Sequence, residues 1–513
     1  MHRRAAPSAE TRGNSHDSVR DDARNRVLPL ALVVIAGIAV FCGALPYFFA
    51  QDDFAALARA SGVSPRLDGM WRYLSGQLYF DLMWRLTGLN AWAYHVVSLL
   101  AHLGCATLLY HLIARRMSRP AALFGATLFA THPALYTALY SISGIGEILS
   151  LLFALVTVRL SVLANPWRWA ALPAFALSLL SKESTLLLPV SLVLGFAVLP
   201  RERGTARRVG WMALIMAAAY AAYFLSTDVF RVRGGLSGSA AYALGGPADM
   251  GRNLLSYLGW TLNAFLPTVQ GFGDAVDPAS FPWGVALAVV WLAGLLSPTL
   301  RSRGWGVAGI TYLLFLLPVV PLRNHTYHYY LYAPLAAVAW AAAGAFDGLL
   351  VTRLGWRSGM ATAAVVAVVL VLNGALLVRK VEHMPFMGPD MRADPTVDRA
   401  RIARNVFESL RRSPLPEGAR LEFWSPALFS ARSDPQRLTA ERYWVTNVRS
   451  ALFDGLGVRV MYPRVAEVRF AAELPSPPMP DRPADRVAVF RRDGILRVAE
   501  PAEIDSLLRV YPR

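Results

Sequence analysis

The chain is 513 residues long, 55% hydrophobic and 17% charged, with a formal net charge of +17. Soluble globular chains average about 45–50% apolar and about 25% charged, so composition excludes a purely soluble protein. Only Lys182 and Lys380 are lysines, and the arginines sit mainly in short loops between apolar blocks and in the C-terminal tail. No basic stripe runs along one soluble face, which argues against nucleic acid as a partner. Cys42 and Cys105 both lie inside apolar segments and form neither a disulfide framework nor a CxxC metal site.

Residues 1–26 read as a disordered tail. Val27 to Phe49 is too long for a signal-peptide core and has no small-residue cleavage site before Gln51-Asp52-Asp53, so it reads as a retained helix. Further apolar blocks follow at Ala91–Ala114, Ala121–Tyr140, Ile148–Leu163, Trp169–Leu180, Thr185–Leu199 and Val209–Leu225, then at Phe281–Leu296, Trp305–Pro321, Tyr329–Phe346 and Gly359–Val378. Crossing a hydrocarbon core of about 30 Å takes about 20 such residues. The predicted fold class is therefore an α-helical polytopic membrane protein, with about eleven transmembrane helices within residues 27–384. Tyr79–Leu86 in the first loop reads as an interfacial helix with Phe80, Met83, Trp84 and Leu86 toward lipid.

Arginine counting sets the orientation. Arg115, Arg116 and Arg119 fall on one side with Arg168, with Arg201, Arg203, Arg207 and Arg208, with Arg301 and Arg303, and with Arg353, Arg357 and the N-terminal tail. The positive-inside rule makes that side cytoplasmic. The external side then receives 52–90, 132–146, 181–184, 227–280, 322–328 and everything after Arg379. Residues 385–513 read as a small soluble α/β domain, external and so periplasmic. It opens with an amphipathic helix at Thr396–Arg412. Short alternating runs follow at Arg420–Trp424, Val458–Tyr462 and Val468–Ala471, and Val487–Arg492 with Ile495–Ala499 reads as a hairpin about Asp493-Gly494. Prolines interrupt it between Pro475 and Pro483.

Few residues carry chemistry. Asp52 and Asp53 follow the first helix directly; the pair is either a solvated helix end or a carboxylate held at the membrane surface, able to deprotonate an alcohol or hold a divalent metal. Glu147 stands at the start of the fourth block, and Lys182-Glu183 makes a short hinge between two apolar helices. Ionisable groups at such depth cost about 2.5–3.5 kcal/mol near the bilayer centre and usually have a use; the plain alternative is that Lys182 and Glu183 pair with each other. The segment Pro321 to Pro334 concentrates Arg323, His325, His328 and four tyrosines. It reads equally as an interfacial aromatic belt and as a site for a lipid phosphate. His95 and His102, seven apart on one helix face, read as packed core histidines.

Taken in order, these pieces resemble a known pattern. The acidic pair is followed by Arg72-Tyr-Leu74, Gly88-Leu-Asn90 leading to His95, Ser98 and His102, then His132-Pro133 with Gly144 and Glu147. Leu-Leu-Ser-Lys182-Glu183 with Pro189 and a Tyr-Leu-Tyr-x-Pro segment complete it. This resembles the GT-C superfamily of membrane glycosyltransferases, and is most similar to the O-mannosyltransferases that carry tetratricopeptide repeats and their bacterial relatives, over roughly residues 27–340. The resemblance implies a polyprenyl-phosphate-linked sugar donor. It also implies a catalytic role for Asp52 or Asp53, and substrate or phosphate contacts at Arg72, His132, Glu147, Lys182 and Glu183, with Arg323, His325 and His328 beside them. Tyr73 replaces the family's proline, Ser98 an asparagine, Thr137 a glutamate and Ile145 an arginine; these departures bear on the sugar and the acceptor.

The expected function is transfer of a sugar from that donor to an acceptor hydroxyl, on a glycan, lipid or protein, at the periplasmic face of a bacterial inner membrane, with inversion. A lipid or solute transporter predicts internal symmetry, and none is found. A non-catalytic assembly factor whose tail docks a partner is the other alternative. No cofactor beyond the conceivable metal is implied.

Overall fold

The computed structural model describes residues 13–163, 166–198, 205–226, 243–262, 280–323, 325–355, 358–382, 395–424, 448–470, 486–490 and 496–499. It is mostly helical. Six of its helical stretches are long and apolar enough to cross a membrane: Val27–Ala44, Ala91–Ala114, Ile142–Ser161, Arg207–Ser226, His328–Val351 and Gly359–Arg379. The other predicted blocks are helical but shorter, at Arg119–Thr131, Ala171–Ser181, Leu188–Val198, Phe281–Leu296 and Trp305–Leu316.

The shortening has local causes. Arg119–Thr131 opens on Ser118, whose hydroxyl accepts from the Ala121 amide, with Pro120 in its first turn. It ends at His132 (φ −64°, ψ 123°), because Pro133 excludes helical geometry from the residue before it. Ala171–Ser181 ends where Lys182 turns extended. The break frees backbone groups, and the Ser150 hydroxyl takes one of them up within a small hydroxyl network. Ser150 donates to the Lys182 carbonyl at 3.0 Å, Ser178 donates to the Ser150 carbonyl at 2.6 Å, and Thr185 bonds both hydroxyls.

The contacts sort the loops into two ends. At one, Asp347 accepts from the Ser118 amide and from the Arg303 guanidinium, and Trp340 donates to the Arg303 carbonyl. At the other, Asp53 meets Ser143, Arg72 meets Glu183, Leu244 bridges Leu322, and Asn253 donates to the carbonyls of Val320 and Leu322, 2.9 Å each. Loops assigned to the same side by arginine counting touch one another.

Of the four residues expected toward lipid in the first loop, Leu86 is exposed, whereas Phe80 and Met83 are not. In the helix Tyr79–Thr87, Phe80 and Met83 are buried against the protein, in an aromatic cluster with Tyr94 and Phe49. The face left exposed carries Leu82 and Leu86.

Among the C-terminal residues, the helix Pro395–Arg412 buries Val397, Ala403, Val406, Phe407 and Leu410. This is a 3–4 residue stripe, worth about 1.5–3 kcal/mol for each large side chain. A four-stranded sheet runs in the order β2-β1-β3-β4, where β1 is Arg420–Trp424, β2 Glu467–Phe470, β3 Arg486–Phe490 and β4 Leu496–Ala499. β1 is parallel to β2 and β3, and β3 pairs antiparallel with β4 from Val487↔Ala499 to Phe490↔Leu496. The Asp493-Gly494 turn and the proline cluster lie outside the described residues. Of Val458–Tyr462, read as a strand, all but Tyr462 lie instead in the helix Leu456–Met461, which is capped by Gly455 (φ 86°) and Tyr462 and buries Gly457, Val458 and Val460.

Candidate active site

Asp52 and Asp53 open the short helix Asp52–Ala60, and their environments are opposite. Asp53 is 1% exposed. One carboxylate oxygen accepts from the Ala50 amide at 3.0 Å and the other from the Ser143 amide at 2.6 Å. Burial pushes its pKa up from 3.8 to about 6, while the two amide donors hold part of that rise back. Asp52 is exposed, and makes no hydrogen bond or ion pair among the described residues. The residue before the pair, Gln51, has φ 54° and donates its amide to the Ala451 carbonyl at 3.0 Å. Phe54, one residue after the pair, stacks on Phe407 with centroids 5.6 Å apart and planes 8° from parallel.

Through Ser143 the acidic helix reaches a set of paired charges. Glu147, fully buried, holds the Lys182 ammonium at 2.8 Å and accepts a short hydrogen bond from Ser184. The ammonium also lies 4.5 Å from the ring centre of Tyr329 and 5.1 Å from that of Tyr330. His325 bonds the Tyr329 hydroxyl at 3.1 Å, so it shares this tyrosine platform. Arg72, at φ 48°, grips Glu183 with two guanidinium nitrogens and stacks on Trp71 at 4.5 Å. Lys182 and Glu183 therefore do not pair with each other; each is neutralised by a residue distant in sequence. Ser75 completes the contact, donating to the Ser181 carbonyl at 2.5 Å. Gly146 sits between them, where an added Cβ would stand 3.2 Å from the Ser75 hydroxyl.

The remaining expected residues lie around this group. His132 is a turn cap: one ring nitrogen accepts from the Ala134 amide and the other bonds the Thr261 carbonyl at 3.2 Å. His328 is buried and stacked on Trp260, 4.2 Å between centroids. Arg323 is exposed and 4.0 Å from Asp249. His95 and His102 are core residues as expected. His95 is bonded to the Leu139 carbonyl, and His102 to the Tyr332 hydroxyl and the Ala130 carbonyl. Among the described residues no three His, Cys, Asp or Glu side chains gather to hold a metal ion. Asp53 already spends both oxygens on amides, so the acidic pair does not fit the role of a metal cage. Ser143 and Asn253 were invisible to sequence reasoning, because one acts through its backbone amide and the other as a buried brace between loops.

The fold and these paired charges define a polytopic membrane protein with a charged site at one end of its bundle. Residues 76–226 match the family described as dolichyl-phosphate-mannose-protein mannosyltransferase, which makes the chain similar to membrane glycosyltransferases of the GT-C type. The matched stretch contains His132, Glu147, Lys182 and Glu183; Asp52, Asp53 and Arg72 precede it. It is shorter than the 27–340 over which the motifs extend. No curated protein matches the chain.

Proposed function

We propose that this protein moves a sugar from a polyprenyl-phosphate-linked donor to an acceptor hydroxyl, with inversion, at the face of the membrane opposite its arginine-rich loops. In this reading the shorter apolar helices cross the membrane too, giving about eleven spans. The arginine-rich end lies in the cytoplasm of a bacterial cell by the positive-inside rule, and the site and residues 385–513 lie in the periplasm. The acceptor, a glycan, lipid or protein, approaches from water and the donor tail stays in lipid.

The observation that carries the proposal is the division of labour within the acidic pair. Asp53 is consumed in tying its helix to the Ser143 loop, which leaves Asp52 as the accessible carboxylate beside a cluster of otherwise compensated charges. Asp52 takes the proton from the acceptor hydroxyl as its oxygen attacks the anomeric carbon, and the C–O bond to the lipid phosphate breaks. Lys182 and Arg72, pre-oriented by Glu147 and Glu183, stabilise the negative charge gathering on that phosphate, an arrangement of fixed charges that needs no reorganisation at the moment of reaction. His325 and Arg323 stand on the loop beside them and accompany the phosphate.

The test is sugar transfer by purified Asp52→Asn and Asp53→Asn proteins. General-base catalysis contributes about 10²–10⁴-fold, so Asp52→Asn loses that factor while keeping wild-type thermal stability. Asp53→Asn places an amide –NH₂ against a backbone N–H and loses about 1–3 kcal/mol of stability. Full transfer activity in Asp52→Asn defeats the proposal.

A further inference from the structure

A cavity of about 200 Å³ lies between five helices and runs from Leu151 and Leu188 to Arg115 and Arg116 at the end of the bundle away from Asp53. Its walls are almost wholly apolar, among them Leu109, Leu155, Leu192, Val307 and Trp340, and its only charged lining residues among those described are Arg115 and Arg116. Both arginines are exposed and follow directly on the last turn of Ala91–Ala114. Trp340 fixes which end this is, because its indole donates to the carbonyl of Arg303 on the arginine-rich side. Two of the walls come from the 11-residue helix Leu188–Val198 and the 12-residue helix Trp305–Leu316.

We propose that this cavity is a binding site for one anionic phospholipid of the leaflet on the arginine-rich side, with an acyl chain in the cavity and its phosphate on Arg115 and Arg116. The walls reject a water-soluble ligand, since polar groups of the ligand would find almost nothing to bond. The mouth selects charge. Guanidinium forks match phosphate oxygens, a helix C-terminus favours cations beside it, and basic pockets between transmembrane helices suit anionic head groups. The bound chain fills the void of about 200 Å³ that the five helices leave between them. The donor's own phosphate is a poor occupant, because bound here it would lie at the end of the bundle away from Asp52. The proposal rests on the fold alone and stands or falls independently of the transferase reading.

The test is native mass spectrometry of the delipidated full chain in non-ionic detergent, titrated with dioleoyl phosphatidylglycerol or dioleoyl phosphatidylcholine. One phosphatidylglycerol is expected to be retained in preference to phosphatidylcholine. In the Arg115→Gln/Arg116→Gln protein that preference falls by about fivefold for each arginine, with phosphatidylcholine retention unchanged. Gly195→Leu fills the cavity from its wall, where an added Cβ has its nearest neighbour, Val307, at 3.7 Å. It lowers retention of both lipids. Because Arg115 and Arg116 are exposed and Gly195 has room, all variants are expected to keep wild-type helicity by circular dichroism. Equal retention of the two lipids by wild type, an unchanged preference in the double arginine variant, or unchanged retention in Gly195→Leu overturns the proposal. So does tighter binding of a short polyprenyl phosphate that the arginine substitutions weaken.

Discussion

Replacing Glu147 by glutamine isolates the charge at the centre of the site. The side chain is fully buried, 2.8 Å from the Lys182 ammonium. At an effective dielectric of about 20 that separation corresponds to about 6 kcal/mol of attraction before desolvation is counted. Glutamine preserves the shape and an acceptor for Ser184, so the variant loses charge and little else. Lys182 is then left buried without its ion-pair partner, with the Tyr329 and Tyr330 rings and the neighbouring Glu183 beside it, and breaking such a pair costs about 3–5 kcal/mol. Lys182→Met alone strands Glu147 and costs a similar amount. The double variant Glu147→Gln/Lys182→Met removes both charges and should cost less than either single variant, giving a coupling larger than one single loss, that is above about 3–5 kcal/mol. The assay is unfolding by anionic detergent in mixed micelles, run as a double-mutant cycle. Sugar transfer is measured on the same four proteins; the stable double variant should be inactive, since it has lost the cation meant for the phosphate. A coupling below about 0.5 kcal/mol refutes the reasoning about the buried pair. A fully active double variant refutes the role given to Lys182.

Two further predictions follow from the acidic helix. Because the pKa of Asp53 is raised from 3.8 to about 6, the folded chain binds more protons than the unfolded chain between those values. Stability is therefore fully present below pH 3.8 and falls as pH rises through about 6, by about 3 kcal/mol for this group. Subtracting the pH–stability curve of Asp53→Asn from that of wild type should expose this fall, and parallel curves would contradict it. Phe407→Ala removes the ring stacked on Phe54 and packed against Phe48. It should cost about 3–5 kcal/mol in unfolding and lower sugar transfer although residue 407 lies far from the acidic pair in sequence. Unchanged transfer in a folded Phe407→Ala protein would separate the C-terminal helix from the site.

The helical blocks were legible because hydropathy alone reports them, and the amphipathic helix Pro395–Arg412 because its apolar residues recur at helical spacing. The interruptions were harder. His132-Pro133 announces a helix end through proline chemistry, whereas the extended Lys182 is held by the hydroxyl of Ser150, 32 residues away in sequence, which sequence order does not bring to it. Glu147, Lys182 and Glu183 stand out in the sequence as ionisable groups among apolar blocks, yet their partners are not readable from it. Lys182 beside Glu183 looks like a pair, but adjacent residues in an extended turn point apart, and Glu147 and Arg72 meet them instead. Val458–Tyr462 was misread since two valines at alternate positions fit a strand and a buried helical turn equally well over so short a run. The exposed-versus-buried split of Asp52 and Asp53 depends on the Ser143 amide, which no side-chain pattern encodes.

The hydrogen bond from Gln51 to Ala451 has a consequence for biogenesis. The loop bearing the acidic pair is made early in synthesis, but the carbonyl that holds it arrives only after another four hundred residues or so have been added. A chain that stops short of residue 451 leaves the Gln51 amide without this acceptor, whereas the Glu147–Lys182 and Arg72–Glu183 pairs need nothing beyond residue 183. The start of the acidic helix is tied down later than those pairs.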